Sequence, residues 1–227
     1  MILAIPGVRG AHAYLVEGPD GLAVVDPGYT GSYRAVLRFI AHRGHGAGDL
    51  RWVILTHHHV DHGGTTLALC QQTDARLAVH RADQCYLVNG RPRERATLFG
   101  IFELLPEAIG RFVMSCAGCE TRQLEDGDLV GGLRVIHAPG HTPGSICLYS
   151  ASECALLTGD VLNNERGVRT PPWTVNHDHG QARRAALRLL GLRYERAYFG
   201  HGPPLEEHAS DRVDAFLTRL VTAPRPV

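Results

Sequence analysis

The sequence predicts an α/β fold built in layers, because strand-like and helix-like segments alternate along its first half. Two short runs rich in β-forming residues, 11–18 and 21–28, flank a Pro-Asp-Gly turn at 19–21, which is typical of a hairpin. Apolar residues then recur at helical spacing across 32–43. The run "RWVILT" at 51–56 is continuously apolar, as expected for a strand that is buried on both faces.

The alternation resumes towards the C-terminus. The further predicted elements are a helix over 65–72, strands over 76–80 and 132–138, two hairpin strands within 144–160, a helix over 181–190, a strand over 196–200 and a helix over 205–220. The two halves share a coarse pattern of hairpin strands, α/β units and a histidine after a strand. No fixed short period occurs, which excludes a solenoid.

The segment 81–115 breaks this alternation. It is predicted to be helical, with an apolar stripe that includes Phe102, and Pro106 would begin a second helix. Two interpretations stay open: the stripe packs on the core, or the segment is a helical lid whose aromatic face, with Phe102, lines a substrate pocket. In both cases we expect the chain 1–227 to form one domain that carries this insertion.

Composition narrows the classes of function. Hydrophobic residues make up 44% of the 227 residues and charged residues 20%, so the chain can bury a sizeable core. Lys+Arg and Asp+Glu number 23 each, and this balance argues against nucleic acid or a membrane surface as the partner. A small-molecule substrate is expected instead. The sequence contains no lysine, which excludes Schiff-base chemistry.

The sequence also predicts a cytoplasmic protein. The opening residues lack the basic and apolar regions of a signal peptide, and no segment has the roughly 20 apolar residues that span a bilayer. The six cysteines are scattered, and only Cys116 and Cys119 lie close together. These two are interpreted as ordinary loop cysteines of a reduced protein, with a redox or disulfide role as the alternative.

The segment "THHHVDH" concentrates residues that bind metals. If the preceding strand continues into it, side chains alternate, so His57 and His59 project to one side and His58 to the other, where it packs or orients its neighbours. After a turn, Asp61 and His62 project in a different direction. Two ligand pairs that diverge from one loop suit two metal ions.

Three further candidate ligands follow predicted strands. His141 lies in "APGHTPGS", Asp160 in "LLTGD" and His201 in "YFGHGPP". Neighbouring glycines allow the backbone to turn and expose a side chain at the sheet edge. Each candidate is weak evidence alone, but together with the His-x-His-x-Asp-His segment they predict one site assembled at strand ends.

This set of residues resembles the five-motif signature of the metallo-β-lactamase fold superfamily, from Asp26-Pro27-Gly28 to His201. The resemblance implies a four-layer αββα sandwich of two mixed β-sheets, with the site at one edge of the sheets. Asp26 would orient the ligands or the neighbouring backbone. The implied ligands are His57, His59 and His141 for one metal ion, Asp61, His62 and His201 for a second, and Asp160 for both.

The same resemblance implies a metal-dependent hydrolase of the glyoxalase II or lactonase type. Two Zn²⁺ ions, with Fe or Mn as alternatives, would share a hydroxide that attacks a thioester, ester or lactone carbonyl. Asp61 would orient this hydroxide and carry a proton.

The superfamily leaves other functions open. They are a β-lactamase, a non-catalytic metal-binding module, and a persulfide dioxygenase with one iron on His57, His141 and Asp160. A nuclease is disfavoured, because the chain has no basic cluster. The oligomeric state also stays open, with a homodimer among the alternatives.

The segment 163–180 is longer than an ordinary connection. One interpretation is a substrate-facing loop in which Trp173 and Arg169 contact the ligand. The alternative is a rigid linker whose Asp178 caps the following helix. His12 is assigned no role in the site.

Overall fold

The first sheet contains six strands in the order in which they occur along the chain. The computed structural model describes residues 1–88, 116 and 118–222. β1, β2 and β3 pair antiparallel, whereas β3 to β6 pair parallel, so the sheet is mixed. The strands are β1 (Ile2–Ala4), β2 (Tyr14–Gly18), β3 (Gly21–Val25), β4 (Leu50–Ile54), β5 (Arg76–His80) and β6 (Thr121–Leu124).

The second sheet contains five strands in the order β11-β10-β9-β8-β7. Its pairs are antiparallel except for β10 and β11, so this sheet is mixed as well. The strands are β7 (Leu129–Val130), β8 (Leu133–His137), β9 (Ile146–Ser150), β10 (Ala155–Leu157) and β11 (Arg196–Tyr198).

Helices connect and cover these strands. Within the described ranges the α-helices are α1 (Tyr33–His42), α2 (Val60–Gly63), α3 (Thr66–Gln72), α4 (Arg81–Val88), α5 (His179–Ala186) and α6 (Ala209–Thr222). Single 3₁₀ turns span Ala47–Asp49, Trp173–Val175 and Leu187–Leu189. None of the helices in this part of the chain is long and apolar enough to cross a membrane.

The two sheets pack face to face between two layers of helices. Val25 and Ile54 of the first sheet pack with Val135 and Leu148 of the second to form the central core. α1 and α3 cover the outer face of the first sheet, and α5 and α6 cover that of the second. Burial of apolar surface, at about 25 cal/mol per Å², holds the layers together. The expected αββα sandwich is confirmed.

Several element boundaries differ from the sequence-based expectation, two of them by enough to have an identifiable cause. β4 ends at Ile54, before the end of "RWVILT", because the N–H of Thr56 donates to the Asp26 carboxylate instead of to a strand. The last helix begins at Ala209 rather than at 205, because Leu205 pairs with Ala197 in extended conformation. The strands β1, β6 and β7 were not anticipated.

The structure describes only the first part of the predicted helical insertion 81–115. Arg81–Val88 forms α4, as expected for a helical segment. Phe102 and Pro106 lie outside the described residues. The lid and the packing interpretations of this insertion therefore both stay predictions.

The candidate site residues all follow the C-terminal ends of strands. Loops beyond the carboxyl ends of strands form the crevice in which open α/β sheets bind ligands. Asp26 follows β3, the segment 57–62 follows β4, His141 follows β8, Asp160 follows β10 and His201 follows β11. Strand direction thus brings distant parts of the chain to one edge of the sandwich.

Candidate metal centre

The imidazoles of His57, His59 and His141 converge on one point. Nδ1 of His59 lies 3.0 Å from Nε2 of His57 and 3.0 Å from Nε2 of His141. His57 and His141 are buried and His59 is half-buried. Three ring nitrogens this close together could hold one metal ion.

Hydrogen bonds on the far side of two of these rings assign their tautomers. The Thr56 hydroxyl donates to Oδ2 of Asp26 at 2.6 Å, so it accepts from Nδ1–H of His57 at 3.1 Å. Nδ1–H of His141 donates to Oδ1 of Asn176 at 3.0 Å. Nε2 of His57 and of His141 therefore carries a lone pair that points into the cluster, the form in which imidazole binds a metal.

The electrostatics of these rings agree with metal ligation. Burial lowers the pKa of His57 well below its ordinary value, and the neighbouring His62 and His59 lower it further. Burial also lowers the pKa of His141. At most one proton, on Nδ1 of His59, can lie among the three nitrogens. A cation at this point would satisfy all three, so the donor set fits a metal ion.

A second group consists of Asp61, His62 and His201. Nε2 of His201 lies 3.2 Å from Oδ2 of Asp61, and Nε2 of His62 lies 3.7 Å from the same oxygen. Nδ1–H of His62 donates to Oδ2 of Asp26 at 2.9 Å. Its Nε2 is thus directed to this second group, and the short helix α2 places Asp61 and His62 side by side.

Asp160 lies between the two groups. Its Oδ2 is 3.5 Å from Nε2 of His141 and 3.6 Å from Nε2 of His201, and its Oδ1 is 3.4 Å from Nε2 of His62. Burial raises the pKa of Asp160, but the charges of His62, His141 and His201 outweigh burial and lower it, so the carboxylate is ionised.

Two buried atoms face each other at this point. Oδ1 of Asp160 and Nε2 of His62 lie 3.4 Å apart, and neither has a hydrogen bond to any other residue that the structure describes. Burial lowers the pKa of His62, but the carboxylates of Asp160 and Asp26 outweigh burial and raise it well above its ordinary value. Without a metal ion a proton therefore lies between these two atoms, and a metal cation bound there would take its place.

Gly200 permits the close approach of His62 and Asp160 to the end of β11. A Cβ atom at this position would lie 2.5 Å from Oδ1 of Asp160 and 2.7 Å from Cε1 of His62. Its φ lies outside the left-handed region. At this position glycine is required for lack of space, whereas Gly140, Gly159 and Gly202, which neighbour the candidate ligands, have the positive φ values that favour glycine in turns.

The sequence analysis missed Asp83, a fully buried carboxylate in the first turn of α4. Oδ2 accepts hydrogen bonds from the N–H of His58 at 2.9 Å and from Oγ1 of Thr142 at 2.7 Å, and Oδ1 accepts from the N–H of Gly144 at 2.7 Å. The carboxylate therefore joins the loop after β4 to the loop after β8. The only sequence signal was an acidic residue near the start of a helix, which is common in proteins.

His58 faces away from the converging imidazoles. Its ring stacks on Tyr86 with centroids 4.2 Å apart, and its Nδ1 lies 3.0 Å from Oδ2 of Asp83. The structure thus places His58 in a packing and orienting environment rather than among the possible ligands.

The segment 163–180 reaches the site through Asn176, which the sequence analysis did not single out. Trp173 begins a 3₁₀ turn that ends beside Asn176, and its side chain is 69% exposed. Arg169 is also exposed, and its guanidinium donates to a backbone carbonyl of its own loop. Asp178 caps α5, as the linker interpretation predicts.

His12, which was assigned no role, lies at the rim of the site. Its backbone N–H donates to the carbonyl of Gly200 at 2.9 Å. Partial burial lowers the pKa of its imidazole, and the nearby His201 lowers it further. Nothing in the local sequence "GAHAY" distinguishes this residue from a histidine in an ordinary surface loop.

Comparison with known families agrees with this geometry. The family model described as the metallo-beta-lactamase superfamily matches residues 6–201. This range includes all seven candidate ligands. The probable metallo-hydrolase YflN of Bacillus subtilis (strain 168) is 25% identical over 227 aligned positions, which cover 89% of this chain and 86% of YflN.

Two relatives carry names of more specific activities. Acyl-coenzyme A thioesterase MBLAC2 of Bos taurus is 33% identical, and the match covers 67% of this chain and 58% of that protein. Hydroxyacylglutathione hydrolase of Anaeromyxobacter dehalogenans (strain 2CP-C) is also 33% identical, over 66% of this chain and 46% of that protein. The chain thus spans about half the length of these two relatives.

Solved structures show the same fold. The metallo-beta-lactamase family protein TTHA1429 from Thermus thermophilus superposes with a TM-score of 0.72 at 24% identity, over 98% of this chain and 79% of that protein. TTHA1623 in a di-iron-bound form superposes with a TM-score of 0.69 at 26% identity, over 96% of this chain and all of that protein.

Proposed function

The chain belongs to the metallo-beta-lactamase superfamily, and on that premise we propose that it is a thioesterase that uses two metal ions. The observation that carries this proposal is the position of Asp160. Its carboxylate lies within 3.6 Å of histidines from both groups of three possible ligands, and it forms a third possible ligand group with His57 and His62, one histidine from each. A carboxylate shared in this way is typical of dinuclear hydrolytic sites.

We assign the ligands by these two groups. One ion would be held by His57, His59 and His141 and the other by Asp61, His62 and His201, with Asp160 available to both. Zn²⁺ is the first choice for a set rich in histidine, and Fe or Mn are alternatives. The di-iron-bound form of the relative TTHA1623 supports two ions and keeps iron in consideration.

The protein residues prepare the site for hydrolysis. Divalent ions bound here would polarise a carbonyl group and lower the pKa of a bound water to about 7. Burial raises the pKa of Asp61, but its hydrogen bond with His201 and the charge of His62 lower it overall. The ionised carboxylate of Asp61 can therefore accept a hydrogen bond from a water molecule and orient it. Asp26 and Asn176 hold the rings of His62 and His141 in their ligating tautomers.

Two observations favour a thioester over other carbonyl substrates. The first is the pair of relatives named as an acyl-coenzyme A thioesterase and a hydroxyacylglutathione hydrolase, each 33% identical. The second is the loop that carries Trp173 and Arg169 and that reaches the site through Asn176. An exposed aromatic and an exposed cation in the loop that leads to the site suit an acyl group on an anionic thiol, such as coenzyme A or glutathione.

Metal analysis combined with a substrate panel tests the proposal. After chelation and reconstitution with Zn²⁺, we expect two ions per chain and hydrolysis of acyl-coenzyme A or S-acyl glutathione without oxygen. The variant His59→Ala should lose metal and activity together. His42→Ala, at an exposed position of α1, is the matched control and should retain both.

Other outcomes would redirect the assignment. One iron per chain together with O₂ consumption on a persulfide would replace the proposal by the dioxygenase alternative. Two bound ions without turnover of any thioester would overturn the thioesterase proposal. Turnover of lactones or β-lactams in that case would identify the substrate class.

A further inference from the structure

Three thiols meet beside the outer face of the first sheet. Cys70 lies on α3, and Cys116 and Cys119 precede β6. The side chain of Cys119 lies within interaction distance of both Cys70 and Cys116. Cys116 and Cys119 pack next to Leu77, and none of the three cysteines belongs to the metal-ligand groups of the described residues. The metal centre therefore does not explain this arrangement.

Cys116 and Cys119 are held at a spacing that allows a disulfide. The N–H of Cys119 donates to the carbonyl of Cys116 at 3.0 Å, which closes a turn. Gly118 within this turn has φ of +95°, a conformation that glycine adopts without strain. The ends of a β-turn lie less than about 7 Å apart, and disulfides join Cα atoms about 4.4–6.8 Å apart. Cys70 lies on α3, so no turn fixes its distance from Cys119.

The three thiols differ in exposure and charge. Cys116 is buried at 3% exposure, whereas Cys119 and Cys70 are partly exposed. Hydrogen bonds from Cys116 and Cys70 lower the pKa of Cys119 to about 4, although burial opposes this. The hydrogen bond with Cys119 raises the pKa of the other two thiols. These shifts favour the thiolate, which is the reactive form of cysteine, on Cys119, a partly exposed residue.

We propose that Cys119 is a site of reversible oxidation by hydroperoxides and that Cys116 resolves the oxidised sulfur into a disulfide. This proposal is independent of the substrate of the metal centre. Cys70 acts as a hydrogen-bond donor that stabilises the thiolate. An adjacent thiol that captures the oxidised sulfur protects it from irreversible oxidation.

The chemistry balances in two steps. The Cys119 thiolate attacks one oxygen of the hydroperoxide, the O–O bond breaks, and water or an alcohol leaves after protonation. The sulfur, oxidised by two electrons, becomes a sulfenic acid. The Cys116 thiol then attacks this sulfur, an S–S bond forms, and the sulfenic oxygen leaves as water. Reduction by a small-molecule dithiol restores both thiols.

Alkylation rates test the thiolate on the unmodified protein. At about pH 6, we expect iodoacetamide to modify Cys119 about tenfold faster than Cys154, because an ordinary thiol is almost fully protonated at that pH. Cys154 is the matched control, since it is more exposed than Cys119. Equal rates at the two cysteines would overturn the proposal.

Oxidation followed by peptide mapping tests the disulfide. Hydrogen peroxide is expected to produce a Cys116–Cys119 linkage that dithiothreitol reverses. The variant Cys116→Ser should stop at a sulfenic acid on Cys119 that dimedone traps. A Cys70–Cys119 linkage, or oxidation of Cys154 alone, would contradict the assignment. Because mapping uses the unmodified chain, the proposal remains testable if Cys116→Ser fails to fold.

Discussion

Asp83 and Thr142 lie 59 residues apart in the sequence, yet the hydroxyl of Thr142 donates a 2.7 Å hydrogen bond to the buried carboxylate of Asp83. The same carboxylate accepts from the N–H of His58. One side chain therefore fixes the loop that carries His57 relative to the loop that carries His141. The distances between the ring nitrogens of His57, His59 and His141 therefore depend on Asp83.

Replacing Asp83 by asparagine should weaken both the fold and metal binding. An amide nitrogen would face buried donors that now meet a carboxylate oxygen, and a buried donor left unpaired costs about 1–3 kcal/mol. We expect the free energy of unfolding to fall by about 2–3 kcal/mol and zinc affinity to fall with it. Urea denaturation and competition with a chelator measure the two effects. Asp74→Asn, at an exposed position, is the control and should change neither.

Asp83 also makes stability depend on pH. Burial raises its pKa, but the hydrogen bonds with His58, Thr142 and Gly144 outweigh burial and lower it. Since the folded pKa lies below the unfolded value of about 3.9, the stabilisation is present above that pH and is lost as pH falls through the folded pKa. Urea denaturation of metal-free protein should show a steeper loss of stability below about pH 4 than Asp83→Asn shows. Parallel curves would contradict this role of the carboxylate.

Replacing Asp26 and replacing Asn176 should weaken the binding of different metal ions. Asp26 accepts from Nδ1 of His62, and Asn176 accepts from Nδ1 of His141. Loss of such a hydrogen bond typically costs about 10- to 100-fold in metal affinity. Asn176→Leu should therefore weaken the ion on His57, His59 and His141. Asp26→Asn should weaken chiefly the other ion, although Asp26 also reaches His57 through Thr56.

Stepwise zinc titration of the two variants measures these affinities, and each variant serves as the control for the other. If both variants lost equal zinc affinity at both ions, the two ligand groups would not be held independently and the prediction would be wrong.

Gly200→Ala should displace Asp160 and His62, which lie where the two metal-ligand groups meet. The added methyl would lie 2.5 Å from Oδ1 of Asp160, so Asp160 or the end of β11 must move. Overpacking of this kind costs about 1–3 kcal/mol, and we expect loss of at least one bound ion. Metal analysis and thermal unfolding check this result. Gly48→Ala is the matched control, because nothing lies within 4 Å of its Cβ position.

Trp173→Ala should affect substrate binding without affecting the metal centre. The side chain is 69% exposed, so its removal should change stability by less than about 0.5 kcal/mol. If the loop contacts the substrate as proposed, KM for acyl-coenzyme A should rise severalfold while kcat and metal content stay the same. Leu129→Ala, at a position that is 64% exposed, is the control. An unchanged KM would remove Trp173 from the substrate surface.

Much of this site could be predicted because its candidate ligands stand in recognisable local sequence patterns. A histidine-rich segment after an apolar strand, and further ligands between glycines and prolines at strand ends, are patterns that can be seen in a few consecutive residues. The reason first offered for the pairing of His57 with His59 was strand alternation, yet β4 ends at Ile54. The loop that brings the two rings together is instead held by hydrogen bonds to Asp26 and Asp83.

Most strands, the main turns and the identity of the candidate ligands could be predicted from the sequence, because each of these depends on neighbours a few positions away. The side chains that hold those ligands in place could be identified only once the chain was folded. Asp83, Asn176 and Gly200 act through contacts with residues far along the chain. Such contacts have no periodicity and no local motif, because they form only when the carboxyl ends of strands from both sheets meet at one edge.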